Sequence, residues 1–323
     1  MLVSLLAAAL LAVAPSVAAQ VAPGGAEGYP ARPVRLIVPL PPGGSPDTIA
    51  RTIANGIGWP HPVVVDNRTA GGRVLAADLV AKSAPDGQTW FLTTDNIMAV
   101  IPHLGPTPFD PLKDFSPVTQ TARFQFLLVV HPSVPARTVQ ELVALAKAQP
   151  GALNYGSSGS GSAQHLGTAQ LQYLTGIRMT HVPYKGAGPA LADLLPGRIQ
   201  VFIGAANQLL PQVRDGRLRL LASAGAQRLP LLPDVPTIAE SGVPGYHHDV
   251  WSGVLMPAKV PDAIVAKANR DIARVLNAPD TKAKLAAQGI DVETGTPQAL
   301  ARRIREDYTR WGKVIRATGM KAE

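Results

Sequence analysis

The chain of 323 residues contains no cysteine. This absence excludes disulfide bonds, thiolate metal ligands and a cysteine nucleophile. Aromatic residues make up only 5% of the chain, whereas 30 glycines and 31 prolines predict many turns. The hydrophobic fraction of 46% is nevertheless enough for a sizeable core, and a chain of this length suits two domains better than one.

Long apolar runs are also missing. The stretch that comes nearest is MLVSLLAAALLAVAPSVAA, residues 1–19, which has no charged side chain and falls short of the ~20 apolar residues that span a bilayer. It ends in small residues suited to cleavage after Ala19, so we predict a secretory signal peptide and an exported protein. A membrane anchor is the alternative. Residues 20–32 (QVAPGGAEGYPAR) are predicted to form a linker.

Acidic residues are scarce, since 22 of them face 30 basic residues and the net charge is +8. Such a balance is compatible with nucleic-acid binding. The densest basic cluster, however, lies at residues 301–316, where Leu300, Ile304 and Trp311 recur at helical spacing. This spacing predicts a helix with a solvated basic face, so nucleic acid is not expected as a partner. The predicted members of that face are Arg302, Arg303, Arg305, Arg310 and Lys313.

Short apolar runs alternate with helical segments along the rest of the chain. Residues 34–38 and 90–94 are predicted to be buried strands, and residues 47–57 and 139–148 amphipathic helices. This alternation predicts an α/β fold with mixed, mainly parallel sheets and flanking helices.

The alternating pattern restarts after Arg123, which predicts two lobes. Residues 33–125 plus 247–323 are expected to form lobe 1, and residues 126–246 lobe 2. Crossovers are expected near residues 124–130 and 248–255. Two lobes joined by two extended strands make a hinge with a ligand cleft between them.

The segment PLPPGGSPDTIAR, residues 39–51, stops a strand and starts a helix within a few residues. Gly43 and Gly44 expose backbone amides, and the Ser-Pro-Asp that follows suits the first turn of a helix. Free amides at the positive end of a helix dipole attract anions. Helix capping explains the Ser-Pro-Asp but not the paired glycines, so an anion site and a capped turn both stay open here.

Two further segments repeat this plan. In NYGSSGSGSAQHLG, residues 154–167, a Gly/Ser loop rich in hydroxyls and amides leads from a strand end to a helix. In HVPYKGAGPAL, residues 181–191, a strand ends near Gly186, and Lys185 is available to pair with an anion. If the lobes face each other, helix N-termini meet across the cleft and favour a carboxylate. A flexible linker and a surface lysine are the structural alternatives.

Patterns typical of catalysis are missing from the sequence. GSSGS and GSGSA do not match the G-x-S-x-G elbow of serine hydrolases, and the phosphate-loop and dinucleotide patterns are absent. The seven histidines show no ligand spacing, and the neighbours His247 and His248 would point to opposite faces of a strand. We therefore predict no enzyme, no cofactor and no metal site. The alternative from a different class is an exported serine hydrolase using Ser158 or Ser162.

Taken together, these segments resemble the substrate-binding proteins of the tripartite tricarboxylate transporter system, the Bug (TctC-like) family. The resemblance runs in order from Tyr29 to about Gly319. Its motifs are YPARPVRLIVPLPPGGSPDTIAR, PVVVDNRTAGG, AKSAPDGQTWFLTT, PFDPLKDFSPVT, VVHPSVPARTVQELVALAKAQPGALNYGSSGSGSAQHL, HVPYKGAGPALADLLPGRIQV and LPDVPTIAESGVPGY.

This resemblance implies a type II periplasmic-binding fold whose two lobes close over a small organic carboxylate. It also implies a periplasmic protein that delivers its ligand to one large and one small integral-membrane subunit. The family's ligand loops map onto three segments of this chain, with two additions on the far wall. The implied ligand-binding residues are Pro42, Gly43, Gly44, Asp47, Ser157, Ser158, Gly161, Ser162, His165, Tyr184, Lys185, Gly186, Asn207 and Asp249.

The chain departs from the family pattern at two places. Leu40 stands where the family has an aromatic residue, and NRTAGG has one glycine fewer than the usual motif, so the pocket shape is expected to differ. If Asp47 pointed into the pocket, a ligand carrying an ammonium or amide group would be favoured. A periplasmic sensor domain is the alternative binding role. The absence of a heptad pattern predicts a monomer.

Overall fold

The computed structural model describes residues 26–40, 42–69, 72–229 and 231–320. The predicted signal peptide and the first part of the predicted linker lie outside these ranges. Within them, no helix is both long and apolar enough to cross a membrane.

Strands and helices alternate along most of the chain. The strands are β1 (Val34–Val38), β2 (Val63–Asn67), β3 (Thr89–Thr94), β4 (Phe115–Phe124), β5 (Phe126–Val130), β6 (Asn154–Ser157), β7 (Thr180–Pro183), β8 (Val201–Ala205), β9 (Arg219–Ser223), β10 (Val250–Pro257) and β11 (Ile290–Val292). The helices are α1 (Ser45–Gly56), α2 (Gly72–Ala81), α3 (Ile101–Leu104), α4 (Val139–Ala148), α5 (Ala163–Thr175), α6 (Ala187–Leu194), α7 (Ala206–Arg214), α8 (Asp262–Asn277), α9 (Pro279–Ala286) and α10 (Pro297–Thr318). A π-helical turn, Asn96–Val100, runs directly into α3.

The strands form two separate sheets. The first has the order β11-β4-β10-β3-β1-β2 and the second the order β7-β6-β8-β5-β9. Strands joined by one helix, such as β1 with β2 and β6 with β7, pair in parallel because the helix returns the chain to the same end of the sheet. The mixed α/β fold is confirmed. Parallel pairs do not predominate, however, because β4, β5 and β10, which lie at the passages between sheets, run antiparallel to their neighbours.

The chain passes between the two sheets twice. β4 belongs to the first sheet and β5 to the second, and only Gln125 separates them. The return path runs from β9 through residues 224–249 to β10, and the N–H of His248 donates to the carbonyl of Ala224 at 2.7 Å. These passages agree with the predicted crossovers. Below, lobe 1 means the first sheet with its helices, and lobe 2 means the second sheet with its helices.

Helices cover both faces of each sheet. Leu36 and Trp90 pack toward α1 and α8 on one face of the first sheet, whereas Ile37 and Phe91 pack toward α2 and α10 on the other. The second sheet is enclosed by α4 and α5 on one face and by α6 and α7 on the other. Burying such side chains contributes roughly 1.5–3 kcal/mol each. The sheets are therefore rigid supports for the loops at their strand ends.

A separate apolar cluster, called the interlobe cluster below, joins the two lobes. Lobe 2 contributes Leu166 and Ala169 from α5. Lobe 1 contributes residues from the π-helical turn and from α10, and all of them are nearly fully buried. These residues are Ala99, Val100, Trp311, Val314 and Ile315. The lobes therefore pack directly against each other along α5 and α10.

The predicted basic face of α10 is only partly solvated. Arg303 and Arg310 turn inward and pair with the buried carboxylate of Asp307, at 3.4 and 2.6 Å. Asp307 also accepts a hydrogen bond from the indole N–H of Trp251 at 2.8 Å. The prediction was wrong for these two arginines because a buried carboxylate requires cationic partners. The other predicted members are exposed, namely Arg302, Arg305 and Lys313.

Candidate functional site

The first glycine loop, residues 42–47, connects β1 to α1. Gly43 has a φ of +84°, which disfavours any side chain. Its N–H donates to Oδ2 of Asp47 at 2.9 Å, so this amide is engaged within the loop. Helix α1 begins at Ser45 with Gly44 as its N-cap, and no side-chain hydrogen bond caps it. The first turn of a helix leaves N–H groups without intrahelical acceptors.

Asp47 braces this loop. It is 2% exposed, its Oδ2 accepts from Gly43 and from Nε of Arg51, and its Oδ1 accepts from Nδ2 of Asn67 at 3.0 Å. Desolvation alone would raise the pKa of Asp47, but the hydrogen bonds from Arg51, Gly43 and Asn67 hold that pKa below its usual value. The carboxylate therefore stays ionised and faces the loop. A ligand with an ammonium or amide group was expected only if Asp47 pointed into the pocket. Asp47 does not, so the structure does not favour such a ligand.

Asn67, which sequence reasoning did not select, ties the end of β2 to the first loop. Its Nδ2 donates to the carbonyl of Leu40 at 3.0 Å and to Asp47 at the same distance. Asn67 is the first residue of the NRTAGG motif, and this motif is the signal by which it could have been found. Leu40, the departure from the family pattern, packs with its side chain against the core of lobe 1.

The second glycine loop, residues 157–165, connects β6 to α5. The backbone N–H of Gly161 donates to Nδ1 of His165 at 3.1 Å. The backbone N–H of His165 donates in turn to the Oγ of Ser162, which is the N-cap of α5. Ser157 is fully buried, and its Oγ accepts from the N–H of Gly159 at 3.1 Å. Most polar groups of this loop are therefore engaged in holding the loop itself.

Three rings stack behind the second loop. The rings of His165 and His181 lie 3.9 Å apart and nearly parallel, and His181 stacks in turn on Tyr155 at 4.9 Å. The Nε2 of His181 lies 2.6 Å from the Oγ of Ser157. Burial and the neighbouring His181 lower the pKa of His165 to about 4. His165 is therefore neutral at neutral pH, as its role as an acceptor for Gly161 requires.

The geometry gives the serine hydrolase alternative no support. The Oγ of Ser158 donates to Oε1 of Gln164 at 2.8 Å, and the Oγ of Ser162 caps α5. Across the described residues, neither hydroxyl contacts an imidazole nitrogen. Ser157 does contact one, but it is buried and thus closed to a substrate. In the same residues, no group of three metal-ligating side chains could hold a metal ion.

The third predicted segment, residues 184–186, leads from β7 into α6. The N–H of Tyr184 donates to the carbonyl of Ser157 at 3.0 Å, which joins this segment to the second loop. The hydroxyl of Tyr184 donates to Asp193 of α6 at 2.8 Å, and burial together with that carboxylate raises the pKa of Tyr184 to about 12. Lys185 is exposed, and Gly186 precedes the first residue of α6.

A cavity of about 230 Å³ lies where the two lobes meet. Its walls come from both crossovers and from the starts of α1 and α7. Helix N-termini from the two lobes therefore face the same space, as expected, although the partner of α1 is α7 rather than α5. The lining residues are Ser45, Pro46, Thr94, Phe124, Gln125, Phe126, Ala205, Asn207, Val250 and Gly289.

The end of β3 links this cavity to the second loop. Thr94 lines the cavity beside Ser45, and two residues later the Nδ2 of Asn96 donates to the carbonyl of Gly161 at 2.6 Å. The Oδ1 of Asn96 accepts from Arg73 at 3.2 Å. The segment that follows β3 therefore runs from the cavity wall to the second loop. Sequence reasoning missed this link, although TTDN follows a strand end just as the predicted loops do.

Asp249 lies next to this cavity rather than on its wall. It lines a smaller, adjoining cavity of about 70 Å³, and Phe124, Gln125 and Phe126 line both. It accepts from the N–H of Ala226 at 3.4 Å and lies 3.8 Å from Arg303. The structure therefore brings Asn207, but not Asp249, to the wall of the larger cavity.

Two α/β lobes, two crossovers and a cavity bounded by helix N-termini define a two-lobed solute-binding receptor. Comparison with known proteins agrees with this class. The chain belongs to the TctC family, because the family model described as the tripartite tricarboxylate transporter family receptor matches residues 49–320. The family consists of receptors, so the chain is a receptor and not an enzyme.

Individual relatives are similar over most of their length. Protein BugT of Bordetella pertussis is 37% identical over 304 residues, covering 93% of each chain. Among solved structures, Rpa4515 of R. palustris with adipate is 37% identical with a TM-score of 0.75, covering 91% of this chain and 99% of that one. MatC of Rhodopseudomonas palustris with bound malate is 31% identical with a TM-score of 0.72, covering 89% and 100%.

Proposed function

We propose that this protein captures a small organic carboxylate in the interlobe cavity and presents it to a tripartite tricarboxylate-type transporter. The observation that carries this proposal is the cavity of about 230 Å³ into which α1 of lobe 1 and α7 of lobe 2 point their first turns. Both turns offer the positive end of a helix dipole, although Pro46 has no N–H and the N–H of Ala206 already donates to the carbonyl of Gln125 at 2.9 Å. Adipate in the Rpa4515 structure and malate in the MatC structure support the same ligand class.

Apart from Asp249, the predicted site residues fall into three groups in this proposal. Gly44, Asn207 and the amides beside Ser45 contact the ligand directly or through water. Asp47 and His165 position the loops without touching it, because both oxygens of Asp47 and the Nδ1 of His165 accept hydrogen bonds inside the protein. The remaining residues shape or border the cleft. They are Pro42, Gly43, Ser157, Ser158, Gly161, Ser162, Tyr184, Lys185 and Gly186.

The wider arrangement follows from family membership. We infer that residues 33–125 with 247–323, and residues 126–246, move as two bodies about Gln125 and the return crossover. The mature protein is proposed to act in the periplasm as a monomer. Its proposed membrane partners are one large and one small subunit, which recognise the closed form.

A thermal-shift screen against citrate, malate, succinate, adipate, glutamate and benzoate tests the ligand class. A bound acid present at a hundredfold excess over its Kd should raise the melting temperature by about 5 °C. Asn207→Asp should weaken binding at least about tenfold, because it places a negative charge on the cavity wall. Gln208→Glu adds the same charge one residue further along α7, outside the cavity lining, and serves as the matched control.

Two outcomes would overturn the proposal. One is that no acid of the panel changes the melting temperature. The other is that a bound acid is weakened equally by Asn207→Asp and Gln208→Glu, since its site would then lie elsewhere on the molecule.

A further inference from the structure

The second sheet has two opposite edges that differ in chemistry. Phe126 and Ala205 line the interlobe cavity, and Ser157 begins the second glycine loop, so β5, β8 and β6 meet the cavity edge at these residues. β6 runs parallel to β7 and β8, whereas β5 runs antiparallel to β8 and β9. The other ends of these strands therefore lie together on the side away from the cavity. This edge, with the loops and helix ends beside it, is called the far end of lobe 2 below.

Positive charge collects at the far end of lobe 2. Arg178 and Arg198 lie just before β7 and β8, and Arg219 is the first residue of β9. The far end carries seven cations, which are Arg137, Lys147, Arg178, Arg198, Arg214, Arg217 and Arg219, and three carboxylates, which are Glu141, Asp193 and Asp215. Two cations and two carboxylates make up the other charges of residues 126–246, so the positive excess of lobe 2 lies at this end.

Most of these cations are exposed and lack an acidic partner. Arg219 is half-buried, and its Nη1 donates to the carbonyls of Val134 and Ala136 at 2.8 and 3.0 Å, which ties the loop after β5 to β9. The other six are exposed, and in the described structure Arg198 alone among the seven forms an ion pair, with Asp193 at 2.8 Å. From Arg178 to Arg219 the cations span four strand spacings, about 19 Å. Their charge is therefore spread over a broad surface that suits an extended anionic partner.

An exposed apolar pair lies at the same end. Tyr173 and Leu174, in the last turn of α5, are 47% and 38% exposed. Among the described residues, no other two consecutive large apolar side chains are exposed. The N–H of Met179 donates to Oε1 of Gln172 at 2.6 Å, and this bond holds the end of α5 beside Arg178. Apolar side chains and cations therefore share the far end of lobe 2.

We propose that the far end of lobe 2 docks on a membrane surface that contains anionic phospholipids. Clusters of arginine and lysine are attracted to such surfaces over about a Debye length. Tyrosine rings favour the headgroup level of a bilayer, and leucine side chains favour the acyl boundary beneath it. An acidic protein would require the cations alone, so the exposed pair Tyr173 and Leu174 favours lipid.

This inference goes beyond the proposed function. A receptor docked through the far end of lobe 2 has the cavity edge of its second sheet turned away from the lipid. A small acid can then enter the cavity while the protein stays at the membrane, which is where a transporter lies.

The exposed basic residues of α10 form a different kind of surface. Arg302, Arg305 and Lys313 are exposed, but Glu306 lies among them. Across the described helix Pro297–Thr318, no large apolar side chain is exposed. This surface therefore lacks an apolar anchor, and we expect it to contribute only long-range attraction. It supplies the matched control for the experiment.

Vesicle co-sedimentation tests the inference. The mature chain, from residue 20, is mixed with vesicles of phosphatidylcholine alone or with about one third phosphatidylglycerol, since a retained signal peptide would insert by itself. We expect at least about tenfold tighter binding to the anionic vesicles at about 50 mM salt. Most of that binding should be lost at about 500 mM salt, because the attraction is screened.

Charge reversal locates the docking surface. Arg178→Glu combined with Arg217→Glu should weaken binding to the anionic vesicles at least about tenfold. Arg302→Glu combined with Arg305→Glu makes the same change in net charge on α10 and should weaken binding by no more than about threefold. Circular dichroism checks that the variants fold. Should the first not fold, Arg178→Gln with Arg217→Gln carries the test against Arg302→Gln with Arg305→Gln.

Tyr173→Ser combined with Leu174→Ser tests the apolar pair. This variant keeps every charge, so binding to the anionic vesicles should fall about fivefold or more, while its dependence on salt persists. Leu231→Ser removes a side chain that is 69% exposed in the loop after β9, and it should leave binding unchanged.

Three results would overturn the inference. The first is that the wild type does not bind anionic vesicles at low salt. The second is equal weakening by the paired variants at the far end and on α10, since binding would then follow net charge alone. The third is that the double serine variant binds as tightly as the wild type, because the far end would then suit an acidic protein rather than lipid. None of these results bears on carboxylate binding in the cavity, so the proposed function is tested separately.

Discussion

The two glycine loops share a sequence style but are held by different chemistry. In the first, the ionised carboxylate of Asp47 gathers the amide of Gly43 and the guanidinium of Arg51. In the second, a buried hydroxyl and the neutral imidazole of His165, which stacks on His181, hold the backbone. The sequence of a Gly-rich strand-to-helix junction therefore does not show which side chains hold it in place. Those side chains decide the pH range over which the loop is stable.

The largest expected effect on stability comes from removing the carboxylate of Asp47. Asp47→Ala removes the acceptor of the Gly43 amide and one acceptor each of Arg51 and Asn67, which keep their hydrogen bonds to Asn67 and to the carbonyl of Leu40. We expect the free energy of unfolding to fall by about 3 kcal/mol. Urea denaturation followed by circular dichroism measures this change.

The matched control for that experiment is Arg51→Ala. Arg51 is 51% exposed, so its loss should reduce the free energy of unfolding much less than the loss of Asp47 does. If both variants lower the free energy of unfolding equally, the ion pair with Arg51 accounts for the whole effect of Asp47. The hydrogen bonds of Asp47 to Gly43 and Asn67 would then contribute nothing measurable.

A second comparison contrasts alanine at Gly161 with alanine at Gly43. Both glycines have positive φ, +70° and +84°, so both substitutions carry backbone strain of about 1 kcal/mol. A Cβ at Gly161 would also lie 2.8 Å from Cδ1 of Leu104, whereas one at Gly43 meets open space. We expect a cost of about 2 kcal/mol at Gly161 and about half that at Gly43. Equal costs would show that Leu104 moves away freely.

The pH dependence of stability should distinguish the two loops. The pKa of His165 is about 4 in the folded protein, below the 6.5 of the unfolded chain. The unfolded chain therefore binds more protons between these values, so the stability that His165 contributes is complete above pH 6.5 and is lost as the pH falls toward 4. We expect a loss on the order of 1 kcal/mol over this window.

His165→Gln supplies the control for the pH experiment. Asp95 and His248 also titrate abnormally, because burial raises the pKa of the first to about 7 and lowers that of the second to about 3. Their contributions are the same in both proteins and cancel in the difference. If the two unfolding curves differ by a constant amount from pH 7 to 4, the imidazole is not the sensitive group. An NMR titration of the His165 ring gives the pKa directly.

The smallest expected effect concerns the third segment. Tyr184→Phe removes a hydrogen bond to the exposed side of α6, so the free energy of unfolding should fall by about 0.5 kcal/mol. Carboxylate affinity should not change, because the hydroxyl faces Asp193 rather than the cavity. A several-fold loss of affinity would place Tyr184 in direct contact with the ligand.

Much of the fold follows from local pattern. The predicted bounds of α4 and β1 agree with the structure because their apolar spacing and flanking residues act over a few neighbours. β11 is three residues long, and α7 contains Pro211, so neither has a clear local signal. Such elements form because lobe packing holds them, and packing is not visible in a single segment.

The site was predictable only in part for the same reason. Strand ends followed by glycines marked the loops, but the contact between Asn96 and Gly161 joins residues 65 positions apart. The pairing of α1 with α7, rather than α5, depends on how the two sheets are set against each other.

The interlobe cluster contains a tryptophan, Trp311, whose fluorescence depends on the packing of the two lobes. Trp311 is 1% exposed and is packed between the ring of His248 and the side chains of α5 and α10. A motion that separates these helices would bring water to the indole and move its emission to longer wavelength. A rotation that keeps them together would leave that emission unchanged, so a variant that retains Trp311 alone of the four tryptophans would report how the lobes open.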